Sequence, residues 1–432
     1  MRFSTLAEWL QWQEGLHPTS IDLGLERPRK VFDRLKLATP SHLTITVAGT
    51  NGKGSTVAAL EAILLAAGYR VGSYTSPHLL HYNERIKING QPVADEAICQ
   101  AFDAIDQARE DDSLTYFEFG TLAALSILQR EAVDIALLEV GLGGRLDAVN
   151  LVDADLAIIT AIDIDHVAWL GSDRESIGYE KAGIMRTGRP VVCSDPQPPQ
   201  SLLEHAENIG ADLQLLNRDF SYRIDEEGEW SLQSSEQNLN HLPQPSLLGR
   251  AQYQNCAGVI AALLAIPHKI KISQSAISKG LQEIMLLGRF QKICDDPEVI
   301  VDVSHNPQSA QHLADTLKAY PCDGQRYGVI AMLSDKDQKS TLEPLSRLFE
   351  HWLVAGIDTE RGDDGEITKS LIDELILNSG YGDAILFDSV RQAYAEASNL
   401  ALKGDQIIVF GSFFTVADIL GLESPLSERR AH

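Results

Sequence analysis

The sequence predicts an α/β protein of two domains, a P-loop nucleotide-binding domain followed by a smaller Rossmann-like one. Three observations carry that prediction. Residues 43–56, Leu-Thr-Ile-Thr-Val-Ala-Gly-Thr-Asn-Gly-Lys-Gly-Ser-Thr, pass from a β-branched run through a Gly-rich turn into a helical pattern. Apolar runs of strand length then alternate with helical periodicity along the chain. A second series of this kind begins after Leu287-Gly-Arg-Phe290, which marks a boundary. The domains are placed at 1–288 and 289–432, with a small β-rich excursion inside the first at about 190–245.

Each part of 43–56 has a physical purpose. Leu43 to Val47 form a buried strand, and Val57-Ala-Ala-Leu-Glu-Ala-Ile-Leu-Leu continues as helix. Between them, Gly49, Gly52 and Gly54 let backbone N–H groups close on phosphate, and the helix dipole adds partial positive charge. Lys53 supplies a full charge, and Ser55 or Thr56 a hydroxyl for Mg²⁺. The loop departs from G-x-x-x-x-G-K-[ST], because Gly54 stands between lysine and hydroxyls. A turn that merely packs helix on strand is the alternative, but a lysine is costly in such a turn without an anion.

Composition narrows the partners. With 44% apolar and 22% charged residues the chain is an ordinary globular protein, long enough for ample core. A net charge of −25 argues against nucleic acid or an anionic membrane, though one basic pocket still admits a small anion. Five scattered cysteines without C-x-x-C spacing suggest a reducing compartment, with neither disulfide framework nor zinc site. The N-terminus lacks a signal-peptide core and no long apolar run appears, so a cytoplasmic location is expected.

In chain order, residues 3–14 carry an amphipathic helix, and a loop at 17–27 precedes a helix from about Arg29. Asp22 in that loop serves as a cap or lines a pocket. A strand at 69–75 ends in Ser76-Pro-His-Leu79, placing Ser76 at the carboxyl edge of a sheet, as a turn residue or a ligand. Helix 95–109 follows, and Leu114-Thr-Tyr-Phe-Glu-Phe119 leads into an apolar helix ending near Arg130. Strand 134–140 holds Glu139 near its end, before Gly141-Leu-Gly-Gly-Arg-Leu-Asp147. Glu139 is placed to bind Mg²⁺ beside a nucleotide, or to pair with Arg145. Strand 156–160 leads to Asp163-Ile-Asp-His166, where the histidine beside two acids is a candidate metal or catalytic group. Helix 173–185 carries Glu180-Lys181-Ala-Gly, and helices near 251–265 and 273–286 precede the second series. Strands of that series fall near 298–303, 326–332, 352–356, 384–387 and 406–410; it contains Asp302-Val-Ser-His305-Asn-Pro and ends Phe410-Gly-Ser-Phe-Phe.

The ordered motifs Gly-Thr-Asn-Gly-Lys-Gly-Ser, Ser-Pro-His-Leu, Glu-Val-Gly-Leu-Gly-Gly-Arg-Leu-Asp, Asp-His…Leu-Gly, Glu-Lys-Ala-Gly, Gly-Arg-Phe and Asp-Val-x-His-Asn-Pro run from the loop to the second domain. Together they resemble the folylpolyglutamate synthase family of the Mur ligase superfamily. Ile21-Asp-Leu-Gly-Leu-Glu-Arg27 and Leu114-Thr-Tyr-Phe-Glu118 are similar to the bacterial members with two activities. The resemblance spans Ile21 to Phe414. Its departures, Ser304 and Cys256 where alanine is usual, carry no obvious chemistry.

The resemblance implies an ATP-dependent amide ligase that adds L-glutamate to dihydropteroate and further glutamates to reduced folates through an acyl phosphate. It implies a Mur-type ATPase domain and a glutamate ligase domain, folate biosynthesis and one-carbon metabolism as the setting, and a monomer. Thr50, Asn51, Gly52, Lys53, Gly54 and Ser55 match nucleotide contacts, as do Asn255, Arg289 and Asp302, the last from the second domain. Two Mg²⁺ ions fall to Ser55, Ser76, Glu139 and His166, with Lys181 as a carbamate; the alternative for Lys181 is an exposed helix lysine paired with Glu180 or Asp173. Asp22, Leu23 and Gly24, Thr115, Tyr116, Phe117 and Glu118, and Leu146, Asp147 and Ala148 match pterin-substrate positions. Lys53, His166, Lys181 and His305 are the catalytic candidates. A carboxylate must be activated before an amine can attack it, and phosphoryl transfer needs positioning and charge neutralisation, which suits this set. Arg289 also fits a plain interdomain salt bridge. The rival functions are another Mur-type amino-acid ligase, a P-loop phosphotransferase, and a nucleotide sensor without turnover.

Overall fold

A computed structural model describes residues 1–37, 42–359 and 361–423. The chain forms two compact units, residues 1–246 with 252–285, and residues 247–251 with those from 286 onward.

The first unit is built on an eight-stranded sheet. Its strands are β1 (Leu43–Ala48), β2 (Val71–Tyr74), β3 (Ile86–Ile88), β4 (Gln91–Pro92), β5 (Ile135–Glu139), β6 (Leu156–Ile159), β7 (Pro190–Cys193) and β8 (Asp212–Leu215). They lie in the order β4-β3-β2-β5-β1-β6-β7-β8, parallel from β2 to β8, with β3 and β4 turned back as an antiparallel edge. The central strands are near-continuously buried because helices cover both faces. Helix Lys53–Ala66 is buried along most of its length, and helix Tyr116–Arg130 packs its apolar side into the same core. Thr5 and Glu8 cap the N-terminal helix, Leu6–Glu14, reciprocally.

Three expectations change. The helix expected from Arg29 begins at Glu26, because Pro28 suits its first turn. The β-rich excursion is narrower than 190–245: residues 190–215 supply β7, helix Gln200–Ile209 and β8, which continue the large sheet. Pro196, Pro198 and Pro199 lie in the loop and at the start of that helix, where proline breaks nothing. Only β9 (Phe220–Ile224), β10 (Trp230–Ser234) and β11 (Leu239–Leu242) form a separate antiparallel sheet. The helix expected to reach residue 286 spans Gln274–Gln282.

The second unit has a six-stranded sheet of β12 (Gln291–Asp295), β13 (Glu298–Val301), β14 (Arg326–Ile330), β15 (His351–Ala355), β16 (Asp383–Phe387) and β17 (Gln406–Phe410). The order is β12-β13-β17-β14-β15-β16, parallel except for the edge strand β12. Its core gathers Ile300, Leu313, Leu317, Phe349, Trp352, Val354 and Phe410.

Candidate active site

The loops that carry the motifs leave the carboxyl ends of four adjacent strands, β2, β5, β1 and β6. That edge is where open α/β sheets bind ligands. The β1 loop is tied to its neighbour by short contacts. Thr50 Oγ1 donates to the Asp163 carbonyl at 2.9 Å and accepts from the Asp163 N–H at 3.0 Å, while Thr160 Oγ1 donates to the Asn51 carbonyl at 2.7 Å. Gly49 lies so close to Thr160 that a Cβ there would collide with its hydroxyl. Gly52 takes a left-handed φ of 90° and caps helix Lys53–Ala66. Its missing Cβ leaves room for Asn255, whose Oδ1 would stand only 2.6 Å from it. The helix begins at Lys53, so Gly54 and the buried Ser55 lie in its first turn.

Two lysines converge on one carbonyl. Lys53 Nζ donates to the Gly49 and Thr50 carbonyls, each at 3.0 Å, and Lys181 Nζ donates to the same Gly49 carbonyl at 2.9 Å. Lys181 is buried rather than an exposed helix lysine beside Glu180 or Asp173. Burial, and then the Lys53 charge, bring its ammonium down to about 7, against the weaker pull of Asp165 and Asp147.

The candidate metal donors are a hydroxyl and carboxylate set. Ser55 and Glu139 are buried, and the Ser76 N–H donates to Glu139 Oε2 at 3.2 Å. Arg145 pairs with Glu180 at 2.8 Å instead of Glu139, because Gly144 and Gly183 bring the β5 turn against the Lys181 helix. His166 is exposed, with φ of 54°, at the start of the one-turn helix Val167–Leu170. Among the described residues no three His, Cys, Asp or Glu side chains make a metal cluster by themselves. One carboxylate with hydroxyls suits Mg²⁺, which takes its other ligands from phosphate and water.

The pterin-motif residues fall into two connected groups. Arg27 donates to Asp22 at 2.5 Å and to the buried Glu118 at 2.8 Å, and His17 contacts the same Asp22 oxygen at 3.1 Å. Leu23 and Gly24 lie between these partners in sequence. Thr115 and Glu118 cap helix Tyr116–Arg130 reciprocally, which fixes Tyr116 and Phe117 in its first turn. Phe117 lies over Gly141, where a Cβ would come within 2.6 Å of the ring. Asp147 is buried between Leu146 and Ala148, and its oxygens accept from the Leu142 and Val149 N–H groups at 2.8 Å each. Burial raises its carboxyl to about 6 despite those bonds and Lys53. Asp147 therefore closes the 141–149 turn. Arg27 was not singled out from sequence, since nothing local marks it as the link between Asp22 and Glu118.

In the second unit, Asp302 at the end of β13 accepts from the Phe290 N–H at 2.8 Å and from the Ser304 N–H at 2.9 Å, and also from the Ser304 hydroxyl. The Arg289 guanidinium lies 5.3 Å over the Phe413 ring. His305 Nδ1 donates to the Val303 carbonyl at 2.9 Å, and Asn306 caps helix Pro307–Ala319.

Two family models cover most of this architecture. The Mur ligase middle domain matches residues 47–263, and the Mur ligase glutamate ligase domain matches residues 288–413. The fold and its loop edge thus define a Mur-type ligase. "Dihydrofolate synthase/folylpolyglutamate synthase" of Escherichia coli (strain K12) is 43% identical over 96% of this chain and 95% of that protein. The structure of E. coli FolC in complex with DHPP and ADP matches with a TM-score of 0.90 at 42% identity, covering 99% of each chain. A crystal structure of bifunctional folylpolyglutamate synthase/dihydrofolate synthase with Mn, AMPPNP and L-glutamate bound matches at 0.87 and 43% identity, covering 97% of this chain and 98% of that one. This chain belongs to the dihydrofolate synthase/folylpolyglutamate synthase family.

Proposed function

We propose that the chain is an ATP-dependent amide ligase that joins L-glutamate to dihydropteroate and extends reduced folates with further glutamates. The observation that carries this reading is the convergence of Lys53 and Lys181 on the Gly49 carbonyl, at a strand edge that also holds Glu139 and Ser76. In the proposed reaction a carboxylate oxygen of the pterin substrate attacks the γ-phosphorus of ATP and ADP leaves. The glutamate amine then attacks the acyl carbon, losing a proton as phosphate departs and the C–N bond forms. Thr50, Asn51, Gly52 and Gly54 supply loop contacts to phosphate, Lys53 neutralises its charge, and Asn255, Arg289 and Asp302 are assigned to the nucleotide by motif. Asp22, Thr115 to Glu118, and the 146–148 turn are assigned to the pterin substrate, and His305 stays a catalytic candidate in the glutamate ligase domain.

Ser55, Ser76, Glu139 and His166 would hold two Mg²⁺ ions, and Lys181 as a carbamate would add anionic oxygens to that set. Bound there, Mg²⁺ neutralises charge on the phosphates. The near-neutral pKa of Lys181 supports the modification, because only the unprotonated amine reacts with CO₂. We place the domains at 1–288 and 289–432 and the protein in the cytoplasm as a monomer, which light scattering tests. Among the described residues no helix is long and apolar enough to cross a membrane. The deciding assay is phosphate release with dihydropteroate, ATP and L-glutamate, omitting each in turn. All three are expected to be required; release without glutamate at an equal rate overturns the ligase reading. A reduced folate already carrying glutamate is expected to replace dihydropteroate, and failure of either substrate leaves a single activity.

A further inference from the structure

One more buried cation lies in the first unit, outside the residues assigned above. Arg85 ends the short turn Tyr82–Arg85 that follows the Ser76 loop, and it is only 8% exposed. Among the described residues no carboxylate forms an ion pair with it. Its neighbour Glu84 instead accepts from the N–H groups of Leu79, Leu80 and His81 at 2.7 to 2.8 Å. Arg85 Nε donates to His78 Nδ1 at 2.8 Å. An arginine cannot give up its proton in a protein, so the accepting Nδ1 carries a lone pair and His78 is the neutral Nε2–H imidazole. The guanidinium lies over the Tyr82 and Tyr116 rings at 5.2 and 5.5 Å. Ring faces attract a cation without cancelling its charge.

A buried guanidinium without a counter-ion is expensive. A carboxylate at position 78 would hold the same geometry and relieve that cost. A neutral acceptor holds it and leaves the positive charge to act on something else. The position says on what. Thr75, one residue before Ser76, donates its N–H to the Arg85 carbonyl at 2.9 Å, and the next N–H along, that of Ser76, binds Glu139. Tyr116 opens the helix whose next residue, Phe117, lies against the β5 turn. The Tyr82 hydroxyl beside them is buried without a partner, in space kept open by Gly120, whose Cβ would stand 2.5 Å from it.

We propose that Arg85 receives the reacting carboxylate of the pterin substrate, and that His78 is a positioning residue that aims the guanidinium without neutralising it. This rests on the ligase reading above. The test is equilibrium binding, without turnover, of dihydropteroate and of its analogue lacking the carboxylate. The wild type is expected to prefer the carboxylate ligand by roughly ten- to a hundred-fold, the range of charge-assisted hydrogen bonds. Arg85→Met is expected to abolish the preference while binding the analogue as the wild type does. His78→Glu, which keeps an acceptor but adds a counter-charge, is expected to cut the preference several-fold. Full discrimination in Arg85→Met overturns the proposal; if that variant does not fold, full discrimination in His78→Glu overturns it. If the wild type binds neither ligand and dihydropteroate supports no phosphate release, the ligase reading falls and this inference with it.

Discussion

Replacing Lys181 by methionine is expected to stabilise the protein while removing its turnover. An ordinary lysine titrates at 10.5, and this one is brought to about 7. A difference of about 3.5 pKa units at about 1.36 kcal/mol each corresponds to about 5 kcal/mol against the charged form in the fold. The folded-state value is the lower one, so between pH 7 and 10.5 the unfolded chain binds more protons, and wild-type stability rises with pH through that window. Below about 7 both states are protonated and the full penalty persists. The raised Asp147 carboxyl has its window between 3.8 and about 6, so it does not overlap. Lys181→Met removes the titration. Its excess stability is expected to be largest near pH 6.5, on the order of several kcal/mol, and to shrink as pH approaches 10. The measurement is the urea midpoint of wild type and variant across pH 6.5 to 10, free of nucleotide and metal and depleted of CO₂. A variant less stable than wild type at pH 6.5, or parallel pH profiles, would refute the reasoning.

Further outcomes follow from the same loops. Lys53→Ala is expected to lower kcat/KM by at least about 3 kcal/mol of transition-state stabilisation, and near wild-type turnover at saturating ATP removes its phosphate role. Gly52→Ala places a Cβ 2.6 Å from Asn255 Oδ1 at a left-handed φ, so a loss of about 1–3 kcal/mol and a higher KM for ATP are expected. Adding Asn255→Ala is expected to restore only the steric part of that stability; full recovery in the double variant means that the φ value costs nothing. Lys181→Ala is expected to be inactive and to regain activity with short carboxylic acids, which can stand in for a carbamate, whereas full activity without them removes the modification.

What the sequence made legible was what is local. The strand, glycines and lysine of 43–56 announce an anion site because every element of that chemistry lies within fourteen consecutive residues. The strands of the second series were placed by their apolar runs, while the polar edge strand β12, with Lys292 and Asp295, gave no such signal. Long-range placement was hidden. Glu180-Lys181 reads as a solvent-facing pair, yet Lys181 is buried because its partner carbonyl lies 132 residues earlier. The choice of Glu180 over Glu139 by Arg145 depends on glycines that bring the turn against a helix, which periodicity does not encode. Pro196, Pro198 and Pro199 only shape a loop and a helix start, in a segment that continues the large sheet.

The strand-end loops of the first unit are fastened to one another rather than to the sheet alone. Thr50 binds Asp163, Thr160 binds Asn51, the Ser76 N–H binds Glu139, Arg145 binds Glu180, and Lys181 binds Gly49. Each tie joins a strand-end loop to another loop, to a strand end or to the helix of Lys181, so fixing one narrows the positions of the next. Donors and charges held in this way need little reorganisation when a phosphate or carboxylate arrives, and such preorganisation is where electrostatic catalysis gains most. It also explains how a chain of net charge −25 can serve anionic ligands. Repulsion from the acidic surface is screened beyond about 8–10 Å, while the half-buried Lys53 and the buried Lys181 and Arg85 act at contact range. The cost of keeping those cations out of water falls on stability, which is why removing Lys181 is expected to strengthen the fold and silence the enzyme.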